Sequence, residues 1–251
     1  MGQRRRHGLA ALAAAILMML VVSACQGGVD TPAPESAPAP TDHIPAAFDV
    51  TFRWVPGQVL DISGQEGTFV RAFVESFELA NAGRSVQWGY RGFVDASPSN
   101  IGQMISVYPP EESTAHPALG TAFFTALRRA DDADWTRIVL CRYGYRSIKV
   151  DGHTWESHID APRPVEIDFR RGGAVPPTNT RGTARTPSGN VFGDWYVTRY
   201  DFAAVYPTTT DDERACATST PSEVLARASE RRRSPWPPMP PSPGWWSSSP
   251  L

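Results

Sequence analysis

The sequence predicts an α+β protein in which one long amphipathic helix packs on a curved antiparallel sheet. Three observations carry this. Residues 63–83 repeat apolar side chains at helical spacing, between recognisable start and stop signals. Some five or six stretches between residues 48 and 202 either alternate apolar and polar residues or are rich in β-branched and aromatic ones. Short connections between most of these stretches favour antiparallel neighbours. A helix with an apolar stripe must bury it, and a sheet with one apolar face is its natural partner.

The first strand places Phe48, Val50, Phe52 and Trp54 on every second position and ends at Pro56 and Gly57. Ser63 and Glu66 fit a capping box, the serine taking an orphan backbone N–H and the glutamate reaching back. Phe69, Phe73, Phe77 and Ala80, flanked by Val70 and Val74, form the helical stripe. Arg71, Glu75 and Glu78 are expected largely on the other side, and Gly83 as the left-handed cap. Trp88, Tyr90 and Phe93 are interleaved with glycine. Exposed, such rings suit stacking on a sugar; folded back, they join the core. Pro98, Gly102, Pro109 and Pro110 mark an irregular passage.

Residues 118–130 satisfy both a helical and an alternating pattern, and the strand-like run beyond them favours a strand over 122–129. Residues 131–134 are a short acidic turn, and the run from Trp135 to Tyr143 is rich in β-branched and aromatic residues. Asp151 and Gly152 give a two-residue hairpin signal, with the return strand beginning at His153. Val165, Ile167 and Phe169 alternate, residues 172–189 form a Gly/Pro/Thr loop, and the last strand covers about 191–202. This element order resembles the NTF2-like or cystatin-like cone, a helix lying across a curved sheet. The resemblance rests on element order and implies no activity.

Arg4, Arg5 and Arg6 precede an apolar run over residues 9–24, the layout of a secretory leader. Its 16 residues fall short of the about 20 needed to cross a bilayer. Val22, Ser23, Ala24 and Cys25 resemble the lipobox of bacterial lipoproteins. That resemblance implies a diacylglyceryl group on the Cys25 thiol, cleavage between Ala24 and Cys25, and membrane attachment through the lipid. Two acyl chains suffice for stable anchoring. Residues 25–46, rich in proline and alanine, read as an extended tether reaching roughly 60 Å. The folded domain is expected over 47–218. Residues 219–251, rich in Pro, Ser, Arg and Trp, read as a disordered tail, as a Pro-rich ligand anchored by Trp245 and Trp246, or as an out-of-frame end of GC-rich DNA.

The chain has 251 residues and a formal charge of −2, and losing the leader with its three arginines leaves about −5. A mildly acidic protein is a poor partner for nucleic acid. Lys149 is the sole lysine, a usage typical of GC-rich bacterial genomes. With Cys25 consumed by lipid, Cys141 and Cys216 remain as an even pair in an oxidising compartment, and a disulfide between them is expected.

Catalytic motifs are scarce. His153, Glu156, His158 and Asp160 are the one cluster of ligand-type residues, but its histidines are five apart. That spacing separates them by about 140° on a helix and puts them on opposite faces of a strand, so no metal site is expected. Ser188 lacks the glycine of a nucleophile elbow two residues before it. No phosphate loop or dinucleotide fingerprint is present, so no cofactor is expected. Residues 211–213 read as a solvated acidic loop. The resulting expectation is a lipid-anchored envelope protein, non-catalytic, binding an envelope protein or a small apolar ligand. The alternative is an envelope hydrolase with its site in the sheet concavity, for which Arg142, His158 and Asp168 are the first residues to inspect.

Overall fold

The computed structural model describes residues 44–45, 48–105, 118–179, 182–202, 210–227 and 230–246. The leader, Cys25, the tether up to residue 43, Pro109, Pro110 and residues 247–251 lie outside the described residues. Six strands form one mixed sheet. β1 (Phe48–Trp54), β2 (Ala118–Asp131), β3 (Thr136–Lys149), β4 (Trp155–Arg170) and β5 (Tyr196–Asp201) lie side by side in chain order. β6 (Glu230–Arg232) pairs with the first residues of β4.

β2 to β5 are antiparallel, as the short connections predict for β2–β3 and β3–β4, while β4 and β5 are joined by the long 171–195 stretch. β1 and β2 are parallel, in register from Phe48 opposite Ala118 to Trp54 opposite Phe124, so the expected all-antiparallel sheet is corrected to a mixed one. The cause is the connection between them. It carries α1 (Gln65–Gly83), a 3-10 turn (Val86–Trp88) and α2 (Ile101–Ile105), and such a crossover returns the chain to the same end of the sheet. Residues 118–130 are strand throughout. The hairpin after β3 is wider than two residues, because the Asp151 carboxylate accepts from the backbone N–H groups of both His153 and Thr154. The return strand and the 165–169 run are one 16-residue strand.

α1 lays its phenylalanine stripe on the sheet as its periodicity predicts. Phe69 meets Phe169, Phe192 and Trp195; Phe73 meets Phe93 and Tyr200; Phe77 meets Tyr200 and Phe202. Its ends differ from expectation. Gly64 occupies the N-cap without any side-chain bond, and Ser63 instead donates its own N–H to Asp61 Oδ1. Glu66 turns away from the helix end to the guanidiniums of Arg129 and Arg171. The left-handed residue is Arg84, with φ 55°, because Gly83 serves another need: a Cβ there would stand 2.0 Å from the Trp88 ring.

The stripe is not the only buried face. Arg71 and Glu75, expected on the solvent side, are 0% and 2% exposed. A second layer covers them. Tyr90 and Phe93 fold back into the core, with Trp88 packed against it, and Trp245 arrives from the far end of the chain. Glu75 accepts from Trp54 Nε1 at 2.8 Å, Tyr90 Oη at 2.7 Å and Trp245 Nε1 at 2.7 Å. The Arg71 guanidinium lies 4.4 Å over the Trp245 ring and donates to the carbonyls of Ile62 and Pro243.

The opposite face of the sheet is covered as well. Phe123, Cys141, Tyr143 and Tyr145 pack with Cys216 of α3 (Thr210–Thr218), Val224 of α4 (Ser222–Leu225), and Trp236 and Met239. Cys141 and Cys216 form the expected disulfide, with Cα atoms 5.2 Å apart and a sequence separation of 75. Closing a loop of that length stabilises by about 4 kcal/mol in the chain-entropy treatment.

Residues 230–246 correct the expectation of a disordered tail. They run across this second face and round the free edge of β1. Trp236 N–H donates to Ser147 Oγ and Met239 N–H to Thr121 Oγ1. Ser242 exchanges backbone bonds with Phe52 and Trp54, shielding the sheet edge, and Trp245 ends 1% exposed in the helix-side core. Proline offers no N–H, but its carbonyl still accepts, and side chains supply the donors: Tyr145 to Pro237, Arg53 to Pro240 and Arg71 to Pro243. A proline-rich segment thus joins the fold without building a ladder. No helix among the described residues is long and apolar enough to cross a membrane.

Candidate anion-binding cleft

Where the last turns of α1 pass over β3 and β4, a cleft of about 590 Å³ opens. β3 sends Ile138 and Leu140 to the helix side and buries them; Arg142 and Arg146 continue on that side into the cleft. Between them Gly144 leaves a gap, since a Cβ there would stand 2.9 Å from Asp160 Oδ2. The Asp160 carboxylate fills the gap and takes Arg142 Nη1 at 3.0 Å and Arg146 Nε at 2.9 Å.

Opposite on β4 stand His158, Asp160 and Arg163, facing Arg146, Gly144 and Arg142 in the ladder. In an unbroken strand residues 158 and 160 share one face and 163 points to the other. The register slips between the Arg142 and Gly144 pairs, so that Ala161 and Pro162 form a bulge. One extra residue restores Arg163 to the cleft side. Pro162 explains the place of the slip, because a residue without an N–H is tolerated where the ladder is already interrupted.

α1 contributes Glu78 and Asn81, with Arg84 just beyond it. Glu78 receives Arg142 through two parallel bonds, at 2.7 and 3.0 Å. Burial pushes the Glu78 carboxyl up, but the Arg142 guanidinium outweighs it and holds the group below its usual value. Asp160 behaves alike: burial raises it, and Arg142 with Arg146 bring it below the ordinary range. Arg142 itself is raised, burial being overcome by Glu78 and Asp160. Arg163 moves the opposite way from Arg142. Burial, then the positive charge of Arg142, depress it; its Nη2 reaches only within 4.0 Å of Glu78, and its buried Nε has no acceptor among the described residues.

The described lining therefore holds four arginines, Arg84, Arg142, Arg146 and Arg163, against the two carboxylates of Glu78 and Asp160. Both carboxylates are held ionised, which makes them weak bases at neutral pH and leaves no proton to donate. No serine, threonine, cysteine or tyrosine is among the described lining residues, so none of these brings a hydroxyl or thiol nucleophile to the cleft. What the arrangement does well is receive negative charge, through guanidiniums fixed by their neighbours.

Of the residues singled out from sequence, Arg142 and His158 line this cleft and Asp168 does not. Asp168 falls on the opposite face of β4, where Arg137 bonds both its oxygens at 2.7 Å. The cluster of ligand-type residues divides. His158 Nε2 lies 3.6 Å from Asp160 Oδ1 in the cleft, His153 sits in the turn, and Glu156 faces Arg231. No group of three or more metal-ligating side chains converges among the described residues. Residues 211–213 open α3 instead of a loop, and Asp212 is buried against Arg128. Sequence reasoning missed Glu78, Arg84, Arg146 and Arg163. Pro162 inside an otherwise strand-like run was the available signal, because it marks the bulge.

No family model, no curated protein and no solved structure matches this chain.

Proposed function

We propose that this is a lipid-anchored protein of the cell envelope, held to the membrane through Cys25, whose folded part is a non-catalytic binding module for a small anionic ligand. The carrying observation is the cleft lining, in which four guanidiniums face two carboxylates that are already paired with Arg142. Two positive charges in excess favour an anion over the apolar ligand that sequence alone suggested. Arg163 is the side chain best placed to meet it, because it is 43% exposed and its Nη2 approaches Glu78 only to 4.0 Å. Attachment rests on the lipobox-like residues 22–25. The comparison with NTF2-like and cystatin-like cones extends only to a helix lying across a sheet, since the parallel β1–β2 pair departs from an antiparallel meander.

Calorimetric titration of the purified protein with phosphate, sulfate, citrate and glucose 6-phosphate tests the cleft. The expected result is saturable binding of at least one anion, weakened by salt and by Arg163→Gln. Absence of any anion binding at low ionic strength sinks the reading. Fatty-acid labelling tests the anchor: label on the native protein and none on Cys25→Ser supports it. A second reading, an envelope hydrolase, is favoured by the His158–Asp160 approach of 3.6 Å. Its test is ester or glycoside turnover that His158→Gln abolishes.

A further inference from the structure

A second concavity, of about 390 Å³, shares no residue with the cleft. We propose that it is a binding site for a neutral carbohydrate, with the Trp246 ring as its stacking face. The proposal stands independently of the anion reading.

The C-terminal segment builds one wall. Trp245 and Ala184 exchange two backbone bonds, at 2.8 and 3.0 Å, which fixes the chain in an extended bridge. Consecutive side chains of an extended chain point opposite ways. Trp245 is locked inward by Glu75, so its neighbour is delivered outward: Trp246 is 38% exposed and borders the concavity. Large aromatic surface left open at a concave site is a feature of ligand pockets, and the volume falls within their usual span of about 300–1,000 Å³.

The remaining lining selects the ligand class. Gln65, Thr178, Ser188 and Asn190 supply carboxamides and hydroxyls, and no charged side chain is among the described lining residues. Asn179 adds an unmet demand. It is 2% exposed, donates its backbone N–H to Ser63 and its Nδ2 to Gly244, and its Oδ1 accepts no bond. A buried acceptor without a partner carries a desolvation cost that a ligand hydroxyl removes. A flat apolar ring beside neutral donors and acceptors matches a pyranose, whose C–H face stacks while its hydroxyls bond sideways. A charged ligand has nothing here to offset its desolvation.

The test is titration of the full protein with oligomers of N-acetylglucosamine, glucose and galactose, followed by ligand-observed NMR and calorimetry. Saturable binding of one oligomer is expected, weakened about tenfold in Trp246→Ala and unchanged in Arg163→Gln. Thermal melts accompany both variants. If Trp246→Ala lowers the melting temperature, Trp246→Phe must then retain binding that Trp246→Ala loses. Absence of binding at about 10 mM of every oligomer overturns the proposal, as does binding indifferent to Trp246. A proline-rich peptide that binds through Trp246 while no sugar does also overturns it.

Discussion

Glu75 and Glu78 lie three residues apart on one helix, and each has an arginine beside it, yet they occupy opposite kinds of surroundings. Glu75 is sealed. Two indole N–H groups and one phenol O–H converge on its oxygens, while Arg71, with its Nε 3.8 Å away, gives Nη1 and Nη2 to backbone carbonyls. Burial lifts the Glu75 carboxyl above its usual value, with Arg71 and the three donors opposing. Glu78 stands at the rim of a cleft, held by two parallel bonds from Arg142, and is lowered. Full satisfaction by neutral donors marks a group that holds the fold together. A matched ion pair at a cleft with further guanidiniums is the arrangement on which the anion-binding proposal rests.

The largest test of this contrast removes the sealed carboxylate. Glu75→Leu leaves Arg71 buried without its carboxylate and the two indole N–H donors unmet. It should cost about 3–5 kcal/mol, read from the urea midpoint. A midpoint within error of the parent would mean that the sealed cluster contributes nothing. Arg142→Gln attacks the open cluster. It strips Glu78 and Asp160 of their shared cation, but the cleft admits water to them, so a smaller loss of about 1.5–3 kcal/mol is expected.

The two glutamates should also pull the pH profile in opposite directions. Glu78 has a folded pKa below its unfolded one, so its contribution is present above about pH 4.3 and disappears as pH falls through the folded value. For Glu75 the folded pKa is raised. Stability from this group is greatest below about pH 4.3 and declines as pH rises towards the folded pKa. Urea midpoints between pH 3 and 7 should therefore fall less on acidification in Glu78→Gln than in the parent. Glu75→Gln should lose the opposing trend, and identical slopes in the two variants would erase the contrast. Effects on the order of 1 kcal/mol are expected.

The smallest stability effect belongs to the side chain proposed to meet the anion. Arg163→Gln is expected to shift stability by no more than about 0.5 kcal/mol, because among the described residues the nearest carboxylate approach of Arg163 is the 4.0 Å to Glu78. The same change should weaken anion binding about tenfold by calorimetry. A large stability loss with unchanged affinity would assign Arg163 to the fold.

Much of the scaffold was legible because it depends on local pattern. The phenylalanine spacing from Phe69 to Phe77 placed the helix and its sheet-facing stripe. Alternation placed β1 and the 165–169 run of β4. Cysteine parity paired Cys141 with Cys216. The cleft was legible only in fragments. Arg142 and His158 are found there, but Glu78 was read as a solvent-side residue, and Arg163 has the wrong parity for its strand unless Ala161 and Pro162 bulge.

Sequence by itself determined the α+β class, the helix, the core face of most strands and the disulfide, since each follows from periodicity or counting along the chain. Tertiary structure decided the parallel pairing of β1 with β2, the burial of Arg71 and Glu75, and the incorporation of residues 230–246. All three turn on contacts between residues far apart in the chain. Trp245 donates to Glu75 across a separation of 170 residues, and no window of neighbouring residues contains both. A proline-rich stretch has no periodicity of its own to bury, so its place is set by what the rest of the fold leaves open: a free sheet edge, carbonyl-seeking arginines, and a carboxylate in need of donors.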